Sequence, residues 1–83
     1  MPSKQQFEAA KAKSATIASK PDNANLLKLY ALYKQGSIGD INSSRPTGFD
    51  FVAAAKWDAW HQLNGMSQEE AMQSYIDLVE ELI

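Results

Sequence analysis

The stretch "LYALYKQGSIGDINSSRP", residues 29–46, decides how the chain is read. It begins as a helix, with Tyr30, Tyr33 and Lys34 at i, i+3 and i+4, the spacing that puts three side chains on one helical face. Leu26, Leu27, Leu29 and Leu32 surround the tyrosines, too many apolar residues for one narrow stripe. Such a helix either packs on two sides or keeps apolar surface for a ligand. Gly36 is its expected C-terminal cap. The run that follows, "SIGDINSSRPTGFD" (37–50), is a 14-residue loop, long for a helical domain. Loops of that length tend to be functional or flexible, and Ile38, Ile41, Pro46 and Phe49 are expected to tie it down. Two phenols and an ammonium can be ordinary packing. They can also hold an aromatic anion, with a base stacked on one phenol while a hydroxyl and the ammonium meet a phosphate.

Outward from this segment the pattern is helical throughout. Upstream, Ser3 and Gln6 have the spacing of a capping box, and Phe7, Ala10, Ser14 and Ile17 recur at helical intervals until "SKP" (19–21) stops the segment. Asp22 is an N-cap type that opens the second helix. Downstream, a third helix follows Asp50, carries Trp57, Trp60 and Leu63, and ends before Gly65. Two tryptophans at that spacing read as core anchors. A fourth opens on a Ser67–Glu70 capping box and shows an apolar face of Ala71, Met72, Tyr75, Ile76, Val79 and Leu82. The expected architecture is all-α, four helices with one long connection, in a single domain over residues 1–83.

Composition narrows the function. A chain of 83 residues buries only about 60–65% of its unfolded surface and is modestly stable. It has no cysteine, which excludes disulfides and thiolate metal sites and agrees with a reducing compartment. The N-terminal run "MPSKQQFEAAKAKS" lacks the apolar core of a secretory signal, and no window approaches the roughly 18 apolar residues of a membrane span. Eight Lys and Arg against ten Asp and Glu give a net charge of −2, which argues against general nucleic-acid binding. An anionic ligand would need a local lysine cluster.

Catalytic patterns are not found. His61 is the single histidine and reads as a surface or groove-edge side chain. The serines lie in caps and loops, none in a nucleophile elbow. Glu69–Glu70 and Glu80–Glu81 read as solvated helix faces, and the glycines at 36, 39 and 48 fit neither the phosphate-loop nor the dinucleotide fingerprint. Lys56, isolated among small residues in "AAAKW", leaves room for a ligand to approach.

Taken together, Tyr–x–x–Tyr–Lys–Gln, Gly–Asp–Ile–Asn, Arg–Pro, Ala–Lys–Trp–Asp–Ala–Trp and Ala–Met–x–x–Tyr–Ile stand in one register over about 75 residues. In this the chain resembles the acyl-CoA-binding protein family almost end to end. The resemblance implies an up-down-down-up four-helix bundle, not an enzyme, that binds medium- and long-chain fatty acyl-CoA esters as a cytoplasmic carrier and pool buffer. It implies that Tyr33 stacks on adenine, that Tyr30, Lys34 and Lys56 hold the ribose 3′-phosphate, and that Tyr75 closes on the nucleotide. Phe7, Ala10, Leu26, Leu27 and Ala55 are the corresponding positions of the apolar acyl groove. Acyl-CoA is then the ligand, with no separate cofactor or metal.

The implied partners are fatty acyl-CoA and, transiently, membranes or acyl-CoA-using enzymes, with no nucleic acid and no integral membrane segment; a monomer is expected. There are departures. Where relatives carry a lysine late in the first helix this chain has Ala15; Lys11 and Lys13 are near but point to different parts of the helix. That leaves the first helix to contribute mostly apolar contact. Lysines early in the third helix are replaced by Val52 and Ala54, and the chain ends at "EELI" without a basic tail. The competing reading is a helical interaction adaptor without a lipid ligand.

Overall fold

A computed structural model describes residues 2–83, in which four helices run in chain order: α1 (Lys4–Ser14), α2 (Asn23–Ser37), α3 (Phe51–His61) and α4 (Gln68–Leu82). No strand is present among the described residues, and the bundle is of the up-down-down-up type. Each helix opens on a side-chain cap. Ser3 Oγ accepts from the Gln6 N–H while the Gln6 side chain accepts from the Ser3 N–H, and Asp22 and Asp50 cap α2 and α3. At α4, Ser67 Oγ accepts from the Glu70 N–H, but the Glu70 carboxylate returns to the Ser67 hydroxyl at 3.3 Å, so the expected box is half made.

Two helix ends differ from the expected ones. The first helix stops at Ser14, before Ile17. The Ser14 and Thr16 hydroxyls donate to the carbonyls of Lys11 and Lys13 at 2.6 and 2.7 Å, and the backbone tightens into Ala15→Ala12 and Thr16→Lys13 bonds. Such hydroxyls compete with the helical ladder and unwind it early. The second helix runs through Gly36 to Ser37 and is closed by Gly39, whose φ of +100° is the left-handed conformation of a C-terminal cap. Gly36 instead allows close approach. A Cβ there would stand 2.9 Å from Phe7 Cζ and 3.2 Å from Met72 Cγ.

The core joins α1, α2 and α4 through Phe7, Ala10, Leu32, Ala71, Tyr75 and Val79. Ala71, Tyr75 and Val79 lie four residues apart, the buried row of α4. Phe7 stacks on Tyr33 with centroids 5.0 Å apart and meets Tyr75 edge-on at 5.3 Å. The tryptophans are only half-buried and stand outside this cluster, contrary to their reading as core anchors.

Their work is to hold the loop. Because α2 and α3 point the same way, the chain must return about 22 Å along α2 before α3 can start. The connection, residues 38–50, is long enough to do so extended. Trp57 Nε1 donates to Ser43 O, and Trp60 Nε1 to Gly39 O and Gln35 Oε1. Arg45 forks onto Asp58 at 2.9 and 3.0 Å, and that hydrogen bond lowers the Asp58 pKa. Ile41 and Pro46 are half-buried as expected, whereas Ile38 and Phe49 are exposed and tie nothing down. At the loop's base Gln35, fully buried, donates to Asp40 Oδ1 and to Met66 O, both at 2.8 Å. Asp40 also accepts from the N–H of Gly65, which has φ +94° just past α3.

Two outcomes follow from this packing. Gly36→Ala forces a methyl against Phe7, which is 1% exposed and cannot retreat. Overpacking outweighs the gain in helix propensity, so stability should fall by about 1–2 kcal/mol net. Urea unfolding should show a lower midpoint at unchanged slope, and an unchanged or higher midpoint would mean that the ring yields. The second outcome concerns acid. The bond from Gln35, then that from Gly65, holds the Asp40 carboxyl below its ordinary pKa. The unfolded chain therefore binds the proton first as pH falls; the stabilisation is complete above the unfolded value of about 4 and is lost as pH drops through the folded one. Asp40→Asn keeps an acceptor oxygen but cannot titrate. Its stability between about pH 5 and 2 should fall less steeply than that of the wild type, and parallel curves would exclude Asp40 as a source of the acid dependence.

Candidate functional site

The row Tyr30, Tyr33 and Lys34 faces two neighbours. On one side α3 brings Lys56 to the ring of Tyr30; on the other α1 brings Lys11 to the ring of Tyr33. Lys34 Nζ lies 5.8 Å and Lys56 Nζ 5.3 Å from the Tyr30 centroid, so two ammonium groups share one phenol. Neither forms an ion pair among the described residues. The negative face of the ring attracts each of them, which offsets part of their mutual repulsion. An anion placed between them would relieve the rest.

Tyr33 is held from several sides. It stacks on Phe7, tilts against Tyr75 at 5.6 Å, and donates its hydroxyl to the Glu8 carboxylate at 3.1 and 3.2 Å. Partial burial, then the bond to Glu8, raises its pKa, and burial likewise raises that of Tyr75. Both phenols therefore stay protonated, and neutral, at ordinary pH. Lys11, Ser14, Leu29, Tyr30, Tyr33 and Tyr75 enclose a hollow of about 210 Å³, with Tyr75, only 2% exposed, at its floor. A second hollow of about 260 Å³ lies between the loop and α3, where Tyr30 and Lys56 meet Ser44, Pro46 and Trp57. Tyr30 borders both.

The expected acyl-groove residues do not converge. Leu27 and Ala55 line one open cleft of about 770 Å³ between α2, α3 and α4, with Ala31, Leu32, Leu63 and Leu78 beside them. Phe7 and Ala10 are buried in the core at 1% and 3% exposure, and Leu26 is exposed apart from the cleft lining. Leu27 lies one turn before Tyr30 on α2 and Ala55 directly before Lys56 on α3, although neither Lys34 nor Lys56 lines the cleft.

Sequence reasoning did not place Glu8 or Ser14 at the site, and named Lys11 without assigning it to the hollow. Lys11 and Lys13 do point to different parts of the helix, as expected: Lys11 lies over Tyr33, while Lys13 turns to the opposite side and pairs with Glu80 at 3.2 Å. The signal was present: Phe7, Lys11 and Ser14 stand at i, i+4 and i+7, one row of α1. The first helix therefore brings a cation to the hollow as well as apolar contact. His61 stacks on Trp57 at 4.6 Å and is exposed, in keeping with a groove-edge side chain. No group of three or more His, Asp or Glu suited to a metal occurs among the described residues.

Comparison with known proteins bears on this arrangement. The family model described as "Acyl CoA binding protein" matches residues 4–79. Acyl-CoA-binding protein homolog 1 of Caenorhabditis elegans is 46% identical over 77 residues, 93% of this chain and 90% of that one. The acyl-CoA-binding protein of Ricinus communis is 45% identical over 80 residues, 96% of this chain and 89% of its own. The crystal structure of Oryza sativa acyl-CoA-binding protein 2 superposes with a TM-score of 0.89 at 40% identity, over 94% of this chain and 87% of that one. By sequence and by fold, this chain belongs to the acyl-CoA-binding protein family.

Proposed function

We propose that residues 1–83 form one domain that binds medium- and long-chain fatty acyl-CoA esters and acts, as a monomer in the cytoplasm, as their carrier and pool buffer. The family is one of binding proteins, and membership in it supports acyl-CoA binding without catalysis. No helix among the described residues is long and apolar enough to cross a membrane. Contact with membranes or acyl-CoA-using enzymes is in this reading transient, for loading and delivery.

The observation that carries the reading is the pair of ammonium groups over the Tyr30 ring without a carboxylate partner. In this reading Tyr30, Lys34 and Lys56 hold the ribose 3′-phosphate, adenine stacks on Tyr33, and Tyr75 closes the floor beneath it. The acyl chain takes the cleft lined by Leu27 and Ala55, where each methylene removed from water contributes roughly 0.8 kcal/mol. The phosphate contacts then distinguish a CoA ester from a plain lipid. A helical adaptor is the second reading, favoured by the bare apolar group Phe49, Phe51 and Val52, at 91%, 75% and 66% exposure. Titration with palmitoyl-CoA in a calorimeter, with an assay for released CoA, separates the two. Saturable heat without free CoA is expected; an adaptor gives none, and release of CoA would mean catalysis.

Recognition of the head group can be tested by subtraction. Dephospho-CoA esters should bind more weakly by about 1.5–3 kcal/mol, roughly ten- to a hundred-fold. Equal affinity for the two esters would remove the 3′-phosphate from Lys34 and Lys56. The ring is tested by Tyr33→Leu, which keeps apolar bulk but has no stacking face. Affinity of the folded variant should drop by about 1–3 kcal/mol. If circular dichroism shows a native fold and palmitoyl-CoA binds as before, Tyr33 is a packing residue only.

A further inference from the structure

We infer that Lys11 is a phosphate contact supplied by the first helix. The inference rests on the acyl-CoA reading above and adds a residue to it. Three observations lead to it. Lys11 Nζ lies 5.3 Å from the Tyr33 centroid and lines the same hollow as Tyr30, Tyr33 and Tyr75. It makes no ion pair among the described residues, although Glu8 stands three residues before it on the same helix; Glu8 is turned to the Tyr33 hydroxyl instead. The other cation of the last turn, Lys13, is engaged with Glu80 on the face away from the hollow. Ala15, beyond the final helical residue, is exposed and brings no charge.

The physical role follows from the seat. A free lysine side chain loses rotamer freedom when it grips a ligand, which reduces the gain in affinity. Resting on the Tyr33 ring, the Lys11 ammonium is already confined to the hollow by cation–π attraction. A nucleotide whose base stacks on Tyr33 brings its phosphates within reach of a side chain of this length. The cation then exchanges a ring face for an anionic oxygen, a stronger partner. Lys34 and Lys56 serve the Tyr30 side and Lys11 the Tyr33 side, so the anion is met from three helices.

The test compares wild type, Lys11→Met and Lys13→Met by calorimetry with palmitoyl-CoA and with its dephospho analogue, at low and high salt. Methionine keeps the apolar stem over the ring and removes only the charge. Lys11→Met should weaken palmitoyl-CoA binding roughly three- to tenfold at low salt and less at high salt, where the contact is screened. Lys13→Met should bind as the wild type does. A Lys11→Met loss that persists with the dephospho ester places the contact on the diphosphate, and one that vanishes places it on the 3′-phosphate; either supports the inference. Unchanged affinity for both esters, or a loss of the same size at both salt concentrations, overturns it. Failure of the wild type itself to bind palmitoyl-CoA would overturn the acyl-CoA reading instead, so the two failures are told apart.

Discussion

The arrangement depends on one buried amide. Gln35 has no solvent access, yet its donor and acceptor are satisfied by Asp40, Met66 O and Trp60. An unpaired amide in that position would cost about 1–3 kcal/mol, so the three partners are effectively compulsory. They belong to the loop, to the turn before α4 and to α3. One side chain of α2 thereby sets where the loop begins, how α3 approaches and where α4 starts. Two parallel neighbouring helices cannot be joined by a short turn, and a long polar crossing has no core of its own. The amide supplies the fixed end that such a crossing needs, and the tryptophan N–H groups and the Arg45–Asp58 fork hold the rest.

The consequence for the site is direct. Tyr33 and Lys34 immediately precede Gln35 on α2, so the element that anchors the loop also presents the phenol and the ammonium. Trp57 and Trp60, by fixing α3 to the loop, bring Lys56 onto Tyr30. The tryptophans thus stand outside the core cluster, between the loop and α3. Their N–H groups clamp the loop.

Electrostatics in this protein is local. A net charge of −2 offers no general attraction to an anion, yet three ammonium groups gather around two phenol rings. The rings make this tolerable because their faces are electronegative while their bodies are apolar. They are also part of the core: Phe7 lies against Tyr33 and Tyr75, and Gly36 gives Phe7 the space to do so. A site built on such rings is held in place before any ligand arrives, since moving Tyr33 would disturb Phe7 and the packing of α1 on α4. Preorganisation of that kind lowers the cost of ordering on binding.

What the sequence by itself determined is what acts over a few residues. Caps at Ser3, Asp22, Asp50 and Ser67 and the apolar row of α4 depend on spacing of three or four, and each is where that spacing places it. The Tyr30–Tyr33–Lys34 face was legible for the same reason, and the succession of motifs made the family legible. Tertiary structure alone decided whatever depends on a distant partner. Gly36 looks like a cap until Phe7, twenty-nine positions earlier, is seen to need its missing Cβ. Trp57 and Trp60 look like core until loop carbonyls claim their N–H groups. Phe7, Ala10, Leu26, Leu27 and Ala55 form no single groove, because burial is set by all the helices together while periodicity knows only one. Lys11 and Lys13 differ by two residues, about 200° around a helix, and only the positions of Tyr33 and Glu80 decide that one faces the hollow and the other turns from it.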